Sequence, residues 1–342
     1  MPTDSPATLA TVAASAGVSV ATVSKVLNGR ADVGAETRAR VWTLLREYDY
    51  VERRAEPRTS ADQAIVELVF HGGLSAYSLE ILQGVVKGAT DAGVAVAVSV
   101  RPRQHQRKST GAWVRNLAAV GRRAVIDVVD DLREGDLAAL SRARLPLVVI
   151  DPLNVPRRQI TSVGATNFSG GLAATQHLLD HGHTRIAYLG TDVASAHNQA
   201  RMHGYRAALD AAGISVPEAY VRSRGAFYED GVVGGSHLLD LSERPTAVFA
   251  ATDEVAAGVI EAARVRGLRV PEDLSVVGFD DTDVARLLSP PLTTVRQPLQ
   301  EMGRVAVRTA LRLADGEELE SHHVELATEL VVRGSAGPPP PT

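Results

Sequence analysis

There is no cysteine in these 342 residues. That excludes disulfides, thiol catalysis and cysteine-ligated zinc, and it fits a reducing cytoplasm. Aromatic side chains make up only 4% of the chain, so each one near a strand end carries information. No apolar run approaches the roughly 20 residues of a membrane-crossing helix. The long ones are strand-sized, such as LPLVVI at 145–150. The opening MPTDSPATLA has no basic segment followed by an apolar one, so no secretory signal and no membrane partner are expected. Excess positive charge is missing too: the formal net charge is −4, which confines any nucleic-acid role to a local module. At 45% apolar and 22% charged, the chain is too apolar for disorder and long enough for about two domains.

A polar stretch, ERRAEPRTSADQ at 52–63, divides the chain. It contains Pro57 and no large apolar residue, a linker composition. Residues 1–51 before it show helical periodicity only. After it, strand-like runs at 64–70, 94–100, 124–130, 145–151, 185–190, 246–252 and 274–280 alternate with helical stretches at 78–93, 112–120, 136–144, 168–182, 199–213 and 254–267. The strands are near-continuous Val/Ile/Leu/Ala, as when helices cover both faces of a sheet. The alternation predicts an α/β fold of parallel sheets. About ten strands is many for one sheet, so two lobes are expected. Such sheets bind ligands at the carboxyl ends of their strands. The tail GSAGPPPPT at 334–342 is expected to be disordered.

The first 51 residues predict three short helices. Thr8 can cap a helix with Leu9, Val12, Ala13 and Ala16 on one face. Gly17 allows a tight turn, and Ser19 can cap a second helix at 20–27. A third, at 37–50, places Val41, Leu44, Leu45 and Tyr48 on one face. Two helices joined through a Gly turn, with a third behind them, is helix-turn-helix geometry. In the second helix Val23, Val26 and Leu27 can pack inward, which leaves Val20, Ala21, Ser24, Lys25 and Asn28 outward. Val20 and Ala21 suit thymine methyls, and Lys25 can reach a guanine edge or a phosphate. Thr8, Ser19, Thr22 and Ser24 offer hydroxyls to phosphates. The competing interpretation is a small bundle with a solvated polar face. Charge does not separate the two, because residues 1–60 hold eight bases against seven acids.

Residues 8–50, and GVSVATVSKVLNG at 17–29 above all, closely resemble the DNA-binding headpiece of the lactose-repressor (LacI/GalR) family of bacterial transcription regulators. GGLAATQHLLDHGHTRIAYLG at 170–190, the segment 244–281 and SPPLTTVRQP at 289–298 resemble the effector domain of that family. The resemblance implies a helix-turn-helix headpiece (1–51), a hinge (52–63) and a two-lobed domain like periplasmic sugar-binding proteins (64–333). The first lobe would comprise 64–163 and 295–326, the second 164–292 and 327–333. It also implies a homodimer on double-stranded operator DNA, controlled by a small-molecule effector, a mono- or oligosaccharide. Family hinges carry a Leu that wedges into the minor groove. Between Val51 and Ile65 there is no Leu, Ile, Phe or Met. Arg53 and Arg54 are the candidate contacts there, and a charged tether is the alternative.

Sugar sites combine stacking rings with groups that hydrogen-bond hydroxyl pairs. Tyr77 and Asp151 stand next to expected strand ends. By resemblance, Arg201 matches a ligand-clamping Arg, Asp280 a ligand-accepting Asp and Phe227 a stacking aromatic. The alternatives are packing for Tyr77 and Phe227, and turn capping for Asp280. Asp253 is expected to cap a helix starting at Glu254, and a lone His71 to be structural. No nucleophile elbow, metal-spaced His pair or Walker loop occurs, so no enzymatic activity, metal or cofactor is expected. A solute-binding protein of a sugar transport system is the alternative function.

Overall fold

The computed structural model describes residues 8–27, 33–48, 64–101, 111–129, 134–154, 160–193 and 195–341. The chain forms two compact units, 1–63 and 64–342.

In the first unit, α1 (Leu9–Ala16), α2 (Val20–Leu27) and α3 (Ala35–Glu47) enclose a core of Val12, Ala13, Ala16, Val23, Val26, Val41 and Leu45. Thr8 Oγ1 accepts from Thr11 N–H at 3.2 Å, and Thr11 Oγ1 accepts in return from Thr8 N–H. This reciprocal cap starts α1. Gly17 ends it at φ 64°, a conformation that costs glycine little. Ser19 Oγ then accepts from Thr22 N–H at 3.1 Å and opens α2. The two helices stand at 100°, within the helix-turn-helix range. Tyr48, expected on the packed face of α3, is instead 41% exposed. It follows the helix, and its hydroxyl bonds Ser15 Oγ at 2.8 Å.

The second unit alternates as expected: β1 (Ile65–His71), α4 (Ala76–Asp91), β2 (Ala95–Arg101), α5 (Gly111–Ala119), β3 (Arg122–Val128), α6 (Glu134–Arg142), β4 (Leu147–Ile150), β5 (Thr161–Ala165), α7 (Asn167–Asp180), β6 (Ile186–Gly190), α8 (Ala196–Ala211), β7 (Val221–Ser223), α9 (Tyr228–Leu239), β8 (Ala247–Ala250), α10 (Asp253–Val265), β9 (Ser275–Asp280), α11 (Asp283–Leu287), β10 (Thr293–Arg296), α12 (Leu299–Ala314), β11 (His323–Leu326) and β12 (Glu329–Val331). The strands form two sheets, ordered β11-β5-β4-β3-β1-β2 and β12-β10-β9-β8-β6-β7. All pairings are parallel except β10 with β12. The short strands β5, β7, β10, β11 and β12, and the helices α9, α11 and α12, lie outside the expected segments. The strands and α11 are too short and α9 too glycine-rich to show a clear period. By contrast α12 carries one, with Met302, Val305, Ala306 and Ala310 on its buried face, and the sequence reading missed it.

The chain crosses between lobes three times, the first two crossings two or three residues beyond where the resemblance placed them and the third at Ala327, as expected. Gly164 and Ala165 belong to β5 of the first lobe, and Val295 and Arg296 to β10 of the second. The crossings lie at Thr166, at Gln297–Pro298 and at Ala327–Thr328. The first and third are stitched together: Thr166 Oγ1 accepts from Thr328 N–H at 3.0 Å.

The tail is not disordered over 334–341. Ser335 is wholly buried. Its Oγ donates to Val276 O at 2.6 Å and accepts from Thr293 N–H at 2.8 Å, while its carbonyl accepts from Val276 N–H at 2.8 Å. Composition signalled disorder, but these backbone bonds to β9 and β10 hold the segment against the second lobe.

Candidate functional site

On α2 the side chains divide as the helical period requires. Val23 and Val26 are buried, whereas Val20 (46% exposed), Ala21 and Lys25 face solvent. Thr22 and Ser24 are half-buried. Thr8 and Ser19 are exposed, with hydroxyls engaged in caps whose helix N-termini favour phosphate oxygens. Asn28, Arg53 and Arg54 lie outside the described residues, as does the whole hinge.

In the second unit a cleft of about 810 Å³ opens between the lobes. Tyr77, Asp151, Arg201, Phe227 and Asp280 all line it. They come from α4, the end of β4, α8, the loop before α9 and the end of β9. Arg201 is buried, and Phe279 lies beneath its guanidinium, 3.8 Å from carbon to ring centroid. Its Nε donates to Asn167 Oδ1 at 2.8 Å, its Nη1 donates to Ala251 O at 2.5 Å, and Nη1 stands 3.8 Å from Asp280 Oδ1. Asp280 also accepts from Gln297 Nε2 at 2.7 Å, which ties the site to a lobe crossing. On the facing lobe, Tyr77 Oη donates to Asp151 Oδ2 at 2.7 Å.

Burial pushes the Asp280 carboxyl well above its usual range, with Arg201 opposing the shift. Burial raises Asp151 too, against Arg201 and the Tyr77 hydrogen bond. The Tyr77 phenol is held well above its ordinary value by burial and by the Asp151 charge. Three non-glycine residues at strand ends in the lining adopt positive φ: Val129 at 53°, Asp151 at 47° and Asp280 at 116°. Backbone strain of this kind clusters at ligand sites, where the surrounding packing holds side chains in place.

Two expectations change. Thr252, not Asp253, caps α10, its Oγ1 accepting from Val255 N–H at 3.1 Å. Asp253 is instead the first helical residue and lies buried in the cleft wall. Its Oδ2 accepts from Thr282 N–H at 2.7 Å and its Oδ1 from Thr294 Oγ1 at 2.5 Å. Burial pushes its carboxyl up to about 7. His71 has a structural partner, Asp127 Oδ1 at 2.6 Å from Nε2, yet it also lines the cleft.

The sequence reading missed Thr191, His197, Glu254 and Thr282 in the lining. Two were within reach. Thr191 directly follows β6, and His197 sits four residues before Arg201, hence on the same helix face. Burial and the Arg201 charge press the His197 imidazole down to about 3, so it is neutral at neutral pH.

A helix-turn-helix module in one chain with a two-lobed cleft defines a ligand-responsive transcriptional regulator. Residues 8–52 match the family of bacterial regulatory proteins, lacI family, and residues 175–336 match a periplasmic binding protein-like domain. The chain is 35% identical over 337 residues to the HTH-type transcriptional regulator CelR of Thermobifida fusca, covering 96% of this chain and 98% of that one. A solved CelR–cellobiose complex superposes with a TM-score of 0.73 at 32% identity, covering 96% of this chain and 99% of that one. The lac repressor dimer bound to operator and the anti-inducer ONPF gives 0.69 at 27% identity, covering 97% and 100%. The chain belongs to the lacI family of bacterial regulatory proteins. It is a transcriptional regulator and not the solute-binding protein of a transporter. Its relatives are regulators, not enzymes, and no single helix among the described residues is long and apolar enough to cross a membrane.

Proposed function

We propose that this protein is a cytoplasmic repressor that binds operator DNA as a homodimer and responds to a sugar held between its lobes. Ser19, Val20, Ala21, Thr22, Ser24 and Lys25 meet the duplex, with Val20 and Ala21 at base edges and Thr8 at a phosphate. Asn28, Arg53 and Arg54 extend that contact. Two headpieces read two half-sites of a near-palindromic operator, as symmetry requires of a dimer. In the cleft Arg201 and the Asp151 and Asp280 carboxyls hold hydroxyl pairs, and Tyr77 and Phe227 stack on the apolar sugar face. The effector acts only through its different affinities for the two lobe arrangements. The cleft binds without chemistry and uses no metal or cofactor.

The observation that carries this reading is the convergence of Tyr77, Asp151, Arg201, Phe227 and Asp280 on one cleft from five separate chain segments. Electrophoretic shift with genomic fragments tests it. A specific complex that weakens with salt is expected, and a sugar found by thermal-shift screening changes it. Arg201→Ala abolishes that response while operator binding persists. Sequence-independent binding at every salt concentration refutes the operator role.

A further inference from the structure

The N-terminus of a long helix is a natural anion position, because its first N–H groups lack intrahelical partners and the dipole is positive there. α4 opens on the cleft, with Ser75, Ala76, Tyr77 and Ser78 in the lining. Two of its first N–H groups are already engaged by side chains. Ser78 N–H donates to Ser75 Oγ at 3.3 Å, and Ala76 N–H donates to Glu254 Oε1 at 2.7 Å. Glu254 belongs to α10 of the opposite lobe, so this hydrogen bond spans the cleft. A carboxylate of the protein itself sits where the phosphate of a ligand would dock.

The remaining lining has the same bias. Among the described residues that line the cleft, Arg201 is the one Lys or Arg, and it shares the lining with Asp151, Asp253, Glu254 and Asp280. Two of its nitrogens already donate within the protein. The groups left over suit hydroxyls instead: Thr191 Oγ1 and His197 Nδ1 are buried without a hydrogen-bond partner among the described residues. An uncharged polyol can satisfy both. A phosphate dianion would meet the Glu254 side chain already seated at the start of α4. The Arg201 guanidinium already donates to Asn167 and Ala251, so the dianion's charge would go unbalanced at low dielectric.

We propose that the cleft admits uncharged sugars and excludes their phosphate esters, with Glu254 as the residue that sets this preference. The proposal rests on the sugar-effector reading above. It places the effector chemically as a free sugar, the product of glycoside hydrolysis or of uptake without phosphorylation, ahead of any kinase step.

Calorimetry and thermal shift on the full chain, wild type and Glu254→Gln, test it with D-glucose, D-ribose, cellobiose, glucose 6-phosphate, ribose 5-phosphate and inorganic phosphate. The wild type is expected to bind at least one free sugar and neither the phosphate esters nor phosphate. In Glu254→Gln the affinity ratio of free sugar to its phosphate ester falls about ten-fold or more, equivalent to ~1.4 kcal/mol. A phosphate ester that binds the wild type as tightly as its parent sugar overturns the exclusion while leaving the effector reading in place. Selective wild-type binding with an unchanged ratio in Glu254→Gln overturns the role of Glu254. No binding by any of the six overturns the sugar-effector reading itself.

Discussion

Gly171 on α7 lies directly against the backbone carbonyl of Arg201 on α8, so closely that a Cβ at position 171 would overlap it. The contact is reciprocal: a Cβ at Gly204 on α8 would overlap the carbonyl of Phe168 on α7. Arg201 reaches Asn167 and Asp280 because these two helices approach without intervening side chains.

Gly171→Ala is therefore expected to do two things together. Overpacking should lower stability by about 1–3 kcal/mol, and displacement of α8 should weaken effector binding. Denaturant unfolding and calorimetry read the two separately. An unchanged affinity would mean that the helices separate without moving the guanidinium.

The reading face makes a different demand. Val20 is half exposed and Ala21 exposed, so replacing them with larger polar residues should change unfolding free energy by about 0.5 kcal/mol at most. Operator preference should change markedly, since these residues stand at the start of the recognition helix. Selection from random DNA measures it, and an unchanged preferred sequence would remove α2 from the reading role.

Asp253 and His197 bias stability in opposite directions with pH. The Asp253 carboxyl is raised from 3.8 to about 7 in the fold, so the folded state holds its proton longer. The stability it contributes is full below about pH 4 and is lost as pH rises to 7. The His197 imidazole is lowered from 6.5 to about 3. Its contribution is full above about 6.5 and is lost as pH falls towards 3. Between pH 4 and 6.5 the two oppose each other. Asp253→Asn should make stability rise more steeply with pH there, and His197→Gln should make it fall more steeply. Urea unfolding at several pH values checks both, and parallel curves for the two variants would contradict the assignment.

Ser335 anchors the tail. In Ser335→Ala the buried Thr293 N–H loses its acceptor, at a cost of about 1–3 kcal/mol. Equilibrium unfolding should show this loss, and a variant as stable as the wild type would mean that the Ser335 hydroxyl contributes no anchor.

Much of the body was legible because parallel strands covered on both faces are continuous apolar runs, as at 64–70 and 274–280. The edge strands β7, β11 and β12 were not, since three or four residues carry no period. Disorder inferred for residues 334–341 failed for a related reason: Ser335 is held by backbone partners on β9 and β10 that only the folded sheet supplies. Asp253 was misassigned because a carboxylate beside a helix start reads as a cap, whereas Thr252, one residue earlier, occupies that position.

From the chain alone came the three-helix module, the alternation of strands and helices and the linker, because local propensity and periodicity are written residue by residue. Arg201, Phe227 and Asp280 came from the resemblance to the family's effector domain, and Tyr77 and Asp151 from their places beside expected strand ends. The tertiary structure decided what those residues face. Asp253 became a buried acid, Thr191 and His197 became part of the cleft wall, and Glu254 on one lobe met Ala76 on the other, because hydrogen bonding and burial depend on which distant segments the folded sheets bring within reach.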